Sequence, residues 1–205
     1  MKLATEFKIL YNHPQLVISN IARVYDEVTF DDYAEGRNWY ASANSFSHSL
    51  SDKYGVHVMK VAGIISALSP MKEWNVNKRI AEEFIEKEGQ VNSHFTKQMD
   101  KAFIILKGPE CKQSIEKQLK GLKTINFFNN IFSPDDEQYV TVDRHHIQVC
   151  TGISIPSVTP KQYQFIKKAT VDFSKRVNLR PCQLQAILWV TWKRLKSNGK
   201  EKKAA

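Results

Sequence analysis

The chain has 205 residues, 42% of them hydrophobic and 25% charged, and a formal net charge of +9. This is ordinary for a globular protein and allows one core or two small lobes sharing a cleft. No apolar run reaches the roughly 18 residues of a membrane span, and the opening MKLATEFKILYNHPQ lacks the apolar core and cleavage site of a signal peptide.

Cys111, Cys150 and Cys182 are odd in number and form no CxxC pair, which fits a reducing cytoplasm rather than a disulfide framework. The charge is uneven. Residues 1–100 hold eleven Lys/Arg against thirteen Asp/Glu, and residues 101–205 hold nineteen against eight, a net +11. Such a field attracts polyanions, because each neutralised phosphate releases counterions. A solvated basic surface ending in the charged tail KSNGKEKKAA reads the same counts without a partner.

In chain order, NWYASANSFSHSLSDKYG is a predicted helix ending at Gly55, with Arg37, Asn38, Trp39 and Tyr40 at its start. HVMKVAGIISALSP places Val58, Val61, Ala62, Ile65 and Leu68 on one stripe and stops at Pro70. NVNKRIAEEFIEKEG repeats the pattern with Val76, Ile80, Phe84 and Ile85, and ends at Gly89, a suitable residue just past a helix. KQSIEKQLKGLKTINFFNNIF divides into a helix through Leu119, a turn at 120–122 and a second helix from about Lys123. Gly121 is expected to supply the permissive backbone of that turn, with Leu122, Ile125 and Phe127 or Phe128 facing the core. A helix, a tight turn and a helix present backbone N–H groups at a helix N-terminus, a ready phosphate site flanked by Lys120 and Lys123. An ordinary αα-hairpin uses the same residues without a ligand.

YVTV, residues 139–142, is the one good strand signal. Asp143 follows it as a helix cap for RHHIQVCTG. Neighbouring helix positions point about 100° apart, so His145 and His146 are poorly placed to share a metal with Asp143. In RPCQLQAILWVTWKRL the residues Leu184, Ile187, Leu188, Thr191, Trp192 and Leu195 form a core stripe, with Pro181 in the first turn and Lys193 and Arg194 in the last. The tail 197–205 is expected to be unstructured. The fold class is all-α.

Three of these stretches, in the same order, resemble the helix-hairpin-helix (HhH-GPD, endonuclease III-like) DNA glycosylase superfamily over about residues 58–150. IISALSPMKEWNVNKRIAEEF is similar to the family's LLSAQ…VNKA segment. LKGLK stands where the family has L-P-G-V-G, with Lys123 replacing the second glycine. VDRHHIQVC is similar to V-D-T-H-x-x-R-V, with Asp143 and His145 in register and Gly121 preceding Asp143 by 22 residues.

The resemblance implies a two-lobed helical fold with its site in the cleft between lobes. Residues 1–57 with 143–205 form one lobe, and 58–142, with the hairpin at about 112–132, form the other. It implies a monomeric enzyme on double-stranded DNA that flips out a base and hydrolyses its N-glycosidic bond, with Asp143 as the catalytic carboxylate. Lys120, Gly121, Lys123 and Arg144 bind phosphates in this reading, and His145 orients the catalytic turn. Leu68, at the place of the family's Gln, or its neighbour Met71 is the side chain inserted into the duplex.

Trp39, Tyr40 and Trp74 are the pocket aromatics, although aromatics at helical spacing are more often core. Arg37 and Asn38 read a base edge, and Glu73 bonds or protonates the leaving base unless it is an exposed loop acid. The place of the Schiff-base lysine in lyase members falls on Ile125, which implies a monofunctional enzyme leaving an abasic site. The family's C-terminal four-cysteine cluster motif is absent, only Cys182 lying there, so no cofactor is expected, and the divergent directions of His145 and His146 argue against a catalytic metal. The resemblance implies a modified, damaged or mismatched base as target and leaves repair open beside antiviral defence, the latter if the target is a bulky base such as a hypermodified cytosine of bacteriophage DNA. Two other readings stand beside this one: a non-catalytic DNA-binding module on the same scaffold, and a metal-dependent nuclease using Asp143, His145 and His146.

Overall fold

The computed structural model describes residues 2–91 and 96–204, with side chains for residues 6–91 and 97–199. Among the described residues there are eleven α-helices and no β-strand, so the chain is all-α. It divides into two compact units, Met1–Tyr40 with Glu137–Ala205, and Ala41–Asp136. These bounds differ from the expected 57/58 and 142/143, because the helix that carries Trp39 and Tyr40 runs unbroken from Phe30 to Tyr54.

The first unit holds α1 (Lys2–Asn12), α2 (Gln15–Tyr25), the start of α3 (Phe30–Tyr54), and α9 (Arg144–Thr151), α10 (Pro160–Arg176) and α11 (Pro181–Ala204). Helix α2, buried through Val17, Ile21 and Val24, packs on α9, α10 and α11. The start of α3 is fixed by a reciprocal cap. Thr29 N donates to Asp32 Oδ2 at 3.1 Å, and Asp32 N donates to Thr29 Oγ1 at 3.2 Å, satisfying amides that a helix start leaves open. Asp32 also receives Arg194 of α11, whose Nε and Nη2 lie 2.9 and 2.7 Å from Oδ2. Gly36 explains how closely α3 and α11 cross: a Cβ there would stand 2.4 Å from the Ile187 Cα. Thr159 opens α10 with a capping box to Gln162.

Helix α11 buries Leu184, Ile187, Leu188 and Thr191, as its pattern predicts, whereas Trp192 is only half-buried. The helix does not end near Arg194 but continues to Ala204. Lys193 and Arg194 therefore lie mid-helix, beyond the reach of the terminal dipole, and the expected unstructured tail from Ser197 is helical through Ala204. Residue 205 lies outside the described residues. No described helix is long and apolar enough to cross a membrane.

The second unit is built around α4 (Val58–Leu68), which is buried on every side from Val61 to Leu68 and packs on α5 (Trp74–Glu86), α6 (Thr96–Lys107), α7 (Lys112–Leu119) and α8 (Leu122–Phe132). The core face of α5 is Asn77, Ala81, Phe84 and Ile85. Val76, expected inside, is 39% exposed. Asn77 takes the inward position because its Nδ2 donates to Ile65 O at 3.1 Å, satisfying a buried polar group that the hydrophobic stripe does not foresee. On α8 the buried face is Asn126, Phe128, Asn129, Asn130 and Ile131; Leu122, Ile125 and Phe127 are half-buried.

Candidate functional site

Residues 139–142 are not a strand. They belong to neither a helix nor a strand, Val140, Thr141 and Val142 are buried, and no strand pairs with them among the described residues. Tyr163 of α10 replaces it. Its hydroxyl donates to Val140 O at 2.7 Å and accepts from Val142 N at 3.1 Å. Burial, opposed by that backbone bond, holds the phenol well above its ordinary pKa. This clamp delivers the chain to Asp143 in a fixed conformation.

Asp143 is the N-cap of α9. Its Oδ1 accepts from His146 N at 2.8 Å. The side chain is half-buried, and no cation pairs with it among the described residues. The carboxylate is thus anchored by one oxygen, and the other is not committed to an ion pair. Arg144 is exposed and His145 half-buried. The His145 pKa is lowered, first by burial; Asp143 opposes that effect, while Arg144, Lys196 and Lys193 add to it. Its Nδ1 is buried with no hydrogen-bond partner among the described residues.

His146 faces the other way. Its Nε2 lies 2.8 Å from Thr170 Oγ1, whose hydroxyl donates to Ile166 O at 3.0 Å, so Nε2 carries the proton. Burial drives its pKa down to about 4. It is a core residue, and Asp143, His145 and His146 are not one ligand set. Among the described residues no group of three or more His, Cys, Asp or Glu could hold a metal ion.

The turn between α7 and α8 has the expected length, but the strained residue is not the glycine. Lys120 takes the left-handed conformation, φ 64°, while Gly121 is extended at φ −107° and serves as the N-cap of α8. A Cβ on Gly121 would meet only Thr124 Oγ1, at 3.5 Å. Gly121 is therefore not demanded by the backbone of the free protein; it leaves the first turn of α8 without a side-chain cap. Thr124 ties the turn together, its hydroxyl 3.0 Å from Gly121 O and 3.2 Å from Leu119 O. Lys120, Gly121 and Lys123 are exposed, and Ile125 is half-buried.

In the same unit, the α4–α5 loop separates the two insertion candidates. Leu68 is 4% exposed on the buried face of α4, whereas Met71 is 83% exposed at φ 63°. Leu68 is thus a core residue and Met71 the exposed one. Glu73 is exposed and caps α5 without a side-chain bond. Trp74 is half-buried and edge-on to Phe46 at 6.3 Å, with the Lys78 ammonium 5.7 Å from its ring centroid.

Arg37, Asn38, Trp39 and Tyr40 belong to the middle of α3, not to a helix start. Tyr40 is a core residue, its hydroxyl donating to Gln185 Oε1 at 2.8 Å. Trp39 is half-buried, edge-on to Trp189 of α11 at 6.2 Å. Arg37 and Asn38 are exposed; Asn38 Nδ2 donates to Ala34 O, and Arg37 lies 5.9 Å from the Tyr33 ring.

The first unit therefore gathers Asp143, Arg144 and His145 near Lys193 and Lys196, and the second holds the hairpin and the Met71–Trp74 loop. Tyr163 and Lys196 were not singled out in the sequence, and Lys193 only as a basic residue for the last turn of its helix. The two lysines stand at i+4 from Trp189 and Trp192, a spacing visible in the sequence. The Tyr163 clamp joins residues 21 and 23 positions apart and has no local signature.

A family model described as a family of unknown function (DUF7178) matches residues 8–196. No curated protein and no solved structure matches the chain.

Proposed function

We propose that this chain, which belongs to the family of unknown function DUF7178, is a monofunctional DNA glycosylase of the helix-hairpin-helix type. The observation that carries the reading is the state of Asp143: a half-buried carboxylate on a clamped segment, fixed through Oδ1 and left without an ion pair.

Cleaving an N-glycosidic bond builds positive charge on the sugar. A fixed carboxylate beside the anomeric carbon stabilises that charge without having to reorganise, and it orients the attacking water. The cap bond to His146 N and the Tyr163 clamp supply the rigidity. Hydrolysis transfers the sugar from base nitrogen to water oxygen, and the base departs with a proton. Glu73, exposed beside Trp74, is the acid proposed to bond the leaving base.

The α7–α8 turn holds the DNA strand. Its uncapped helix start accepts a phosphate, with Lys120 and Lys123 beside it. Met71, apolar and exposed at a loop tip, fills the space of the extruded nucleotide, which offsets part of the few kcal/mol of unstacking. Ile125, where lyase members of the resembled superfamily carry lysine, offers no amine for a Schiff base, so the product is an intact strand with an abasic site.

The base is taken to be a modified one, and a role against modified bacteriophage DNA follows from that choice. Incubating the protein with genomic DNAs carrying different natural base modifications tests the reading. Strand breaks that form only after alkali support it. EDTA-sensitive nicking points instead to a nuclease, and binding without product to a DNA-binding module.

A further inference from the structure

We propose that Trp74, Phe46 and Lys78 form a platform for one unpaired nucleotide of single-stranded DNA. The base stacks on the indole and the ammonium pairs with a phosphate. The inference rests on DNA as partner and goes beyond the reading above, which concerns the duplex.

All three residues belong to the second unit. Helices α3 and α5 are tied together there by Glu82 of α5, whose Oε1 accepts from Lys53 Nζ at 2.9 Å and from the Tyr54 hydroxyl at 3.3 Å. About two turns earlier on each helix, Phe46 and Trp74 meet edge to face, with ring centroids 6.3 Å apart and planes at 76°. Lys78 stands between Trp74 and Glu82, one turn from each. A pair with the acid four positions on is the usual course for a helix cation, and the neighbouring Arg79 makes one with Glu83. Glu82 is taken by α3, and the Lys78 ammonium lies instead over both rings, 5.7 Å from the Trp74 centroid and 5.8 Å from that of Phe46.

Both rings are half-buried, so each keeps an exposed part, and the α3 residues one turn either side of Phe46 are the short, exposed Ser42 and Ser49. Every base has a π-face, so an aromatic wall takes any base that is not already paired and stacked. A cation–π contact holds the ammonium beside the rings but is weaker than a charge-assisted hydrogen bond. An arriving phosphate therefore draws the ammonium off the rings while the base takes its place. The exposed Glu73 precedes the indole and repels anions, which puts the phosphate at Lys78, a turn further on.

The test uses the full chain with an oligothymidylate about a dozen nucleotides long and a mixed-sequence duplex of equal length. Affinity is read by anisotropy of fluorescein-labelled DNA, and stacking by quenching of tryptophan fluorescence with unlabelled strand. The other three tryptophans, Trp39, Trp189 and Trp192, lie in the first unit. Trp74→Leu should weaken binding of the single strand roughly tenfold and leave the duplex, whose bases are stacked, within about twofold. Trp74→Phe should hold the single-strand affinity within about threefold of the parent while the quenching is lost. Lys78→Gln should lower the slope of log affinity against log salt on the single strand by about 0.7, and Lys78→Arg should restore it. Quenching that persists in Trp74→Phe, an equal loss on strand and duplex in Trp74→Leu, or an unchanged slope in Lys78→Gln overturns the platform. Parent protein that binds the duplex but not the oligothymidylate also overturns it and spares the glycosylase reading. Failure to bind either DNA removes both proposals together.

Discussion

The hydroxyl of Tyr163 does for residues 140–142 what a neighbouring strand does in a sheet, accepting one backbone N–H and donating to one carbonyl. Tyr163→Phe keeps the ring and its packing but leaves Val142 N–H and Val140 O buried without that partner. The cost should be about 1–3 kcal/mol of stability, read as a lower midpoint in urea denaturation with an unchanged slope. If the clamp also positions Asp143, excision of the substrate base should fall further than the stability loss explains while KM for DNA stays level. A variant as stable as the parent would show the two bonds to be dispensable. The burial of Val140, Thr141 and Val142 was legible in the apolar run YVTV, although the run is not a strand. What the sequence concealed was the identity of their partner, a side chain more than twenty positions away that lies on a helix.

At the level of elements, the α7–α8 turn assigns opposite signs to two properties of one residue. Lys120 holds φ 64°, a conformation that costs a side-chain-bearing residue about 1 kcal/mol and glycine little. Lys120→Gly should therefore leave the protein as stable as before or stabilise it by up to about 1 kcal/mol, and yet weaken duplex binding and reduce the salt slope by about one. Loss of stability together with unchanged binding would contradict both assignments. The element boundaries were readable in LKGLK and in the caps around it, because the turn's length is set locally. The strained position was not. Glycine's permissiveness suggested Gly121, but the chain places the left-handed residue one step earlier and uses glycine as a cap without a side chain. The same limit applies to α5 and α8, whose buried faces carry asparagines. Asn77 and Asn129 reach backbone carbonyls, Ile65 O and Ile125 O, and a hydrophobic stripe cannot register that.

For the molecule as a whole, the buried histidine sets the response to acid. In the folded chain the His146 pKa lies near 4, chiefly through burial, with the Asp143 carboxylate opposing. In the unfolded chain it returns to about 6.5. Between these values the unfolded state binds a proton that the folded state refuses, so stability is complete above about pH 6.5 and falls as the pH drops toward 4. At about 1.4 kcal/mol per pKa unit, the loss is about 3 kcal/mol. Denaturation midpoints at pH 7 and pH 4.5 should differ accordingly, and His146→Asn should flatten that segment of the profile; a parent protein equally stable at both would contradict the burial argument. The all-α class was legible from periodicity; the unit boundary at 40/41 was not, because it falls inside the unbroken helix α3.

Asp143→Asn separates the charge of the carboxylate from its shape. The amide keeps the side chain's shape, and its oxygen can still accept from His146 N–H, so the α9 cap should survive. The charge that stabilises the sugar cation is removed. On genomic DNA carrying the susceptible base, abasic sites should form with the parent protein and fall at least about a thousandfold with the variant, a rise of about 4 kcal/mol in the barrier. Duplex affinity should stay within about twofold. Undiminished abasic-site formation by the variant would contradict the account.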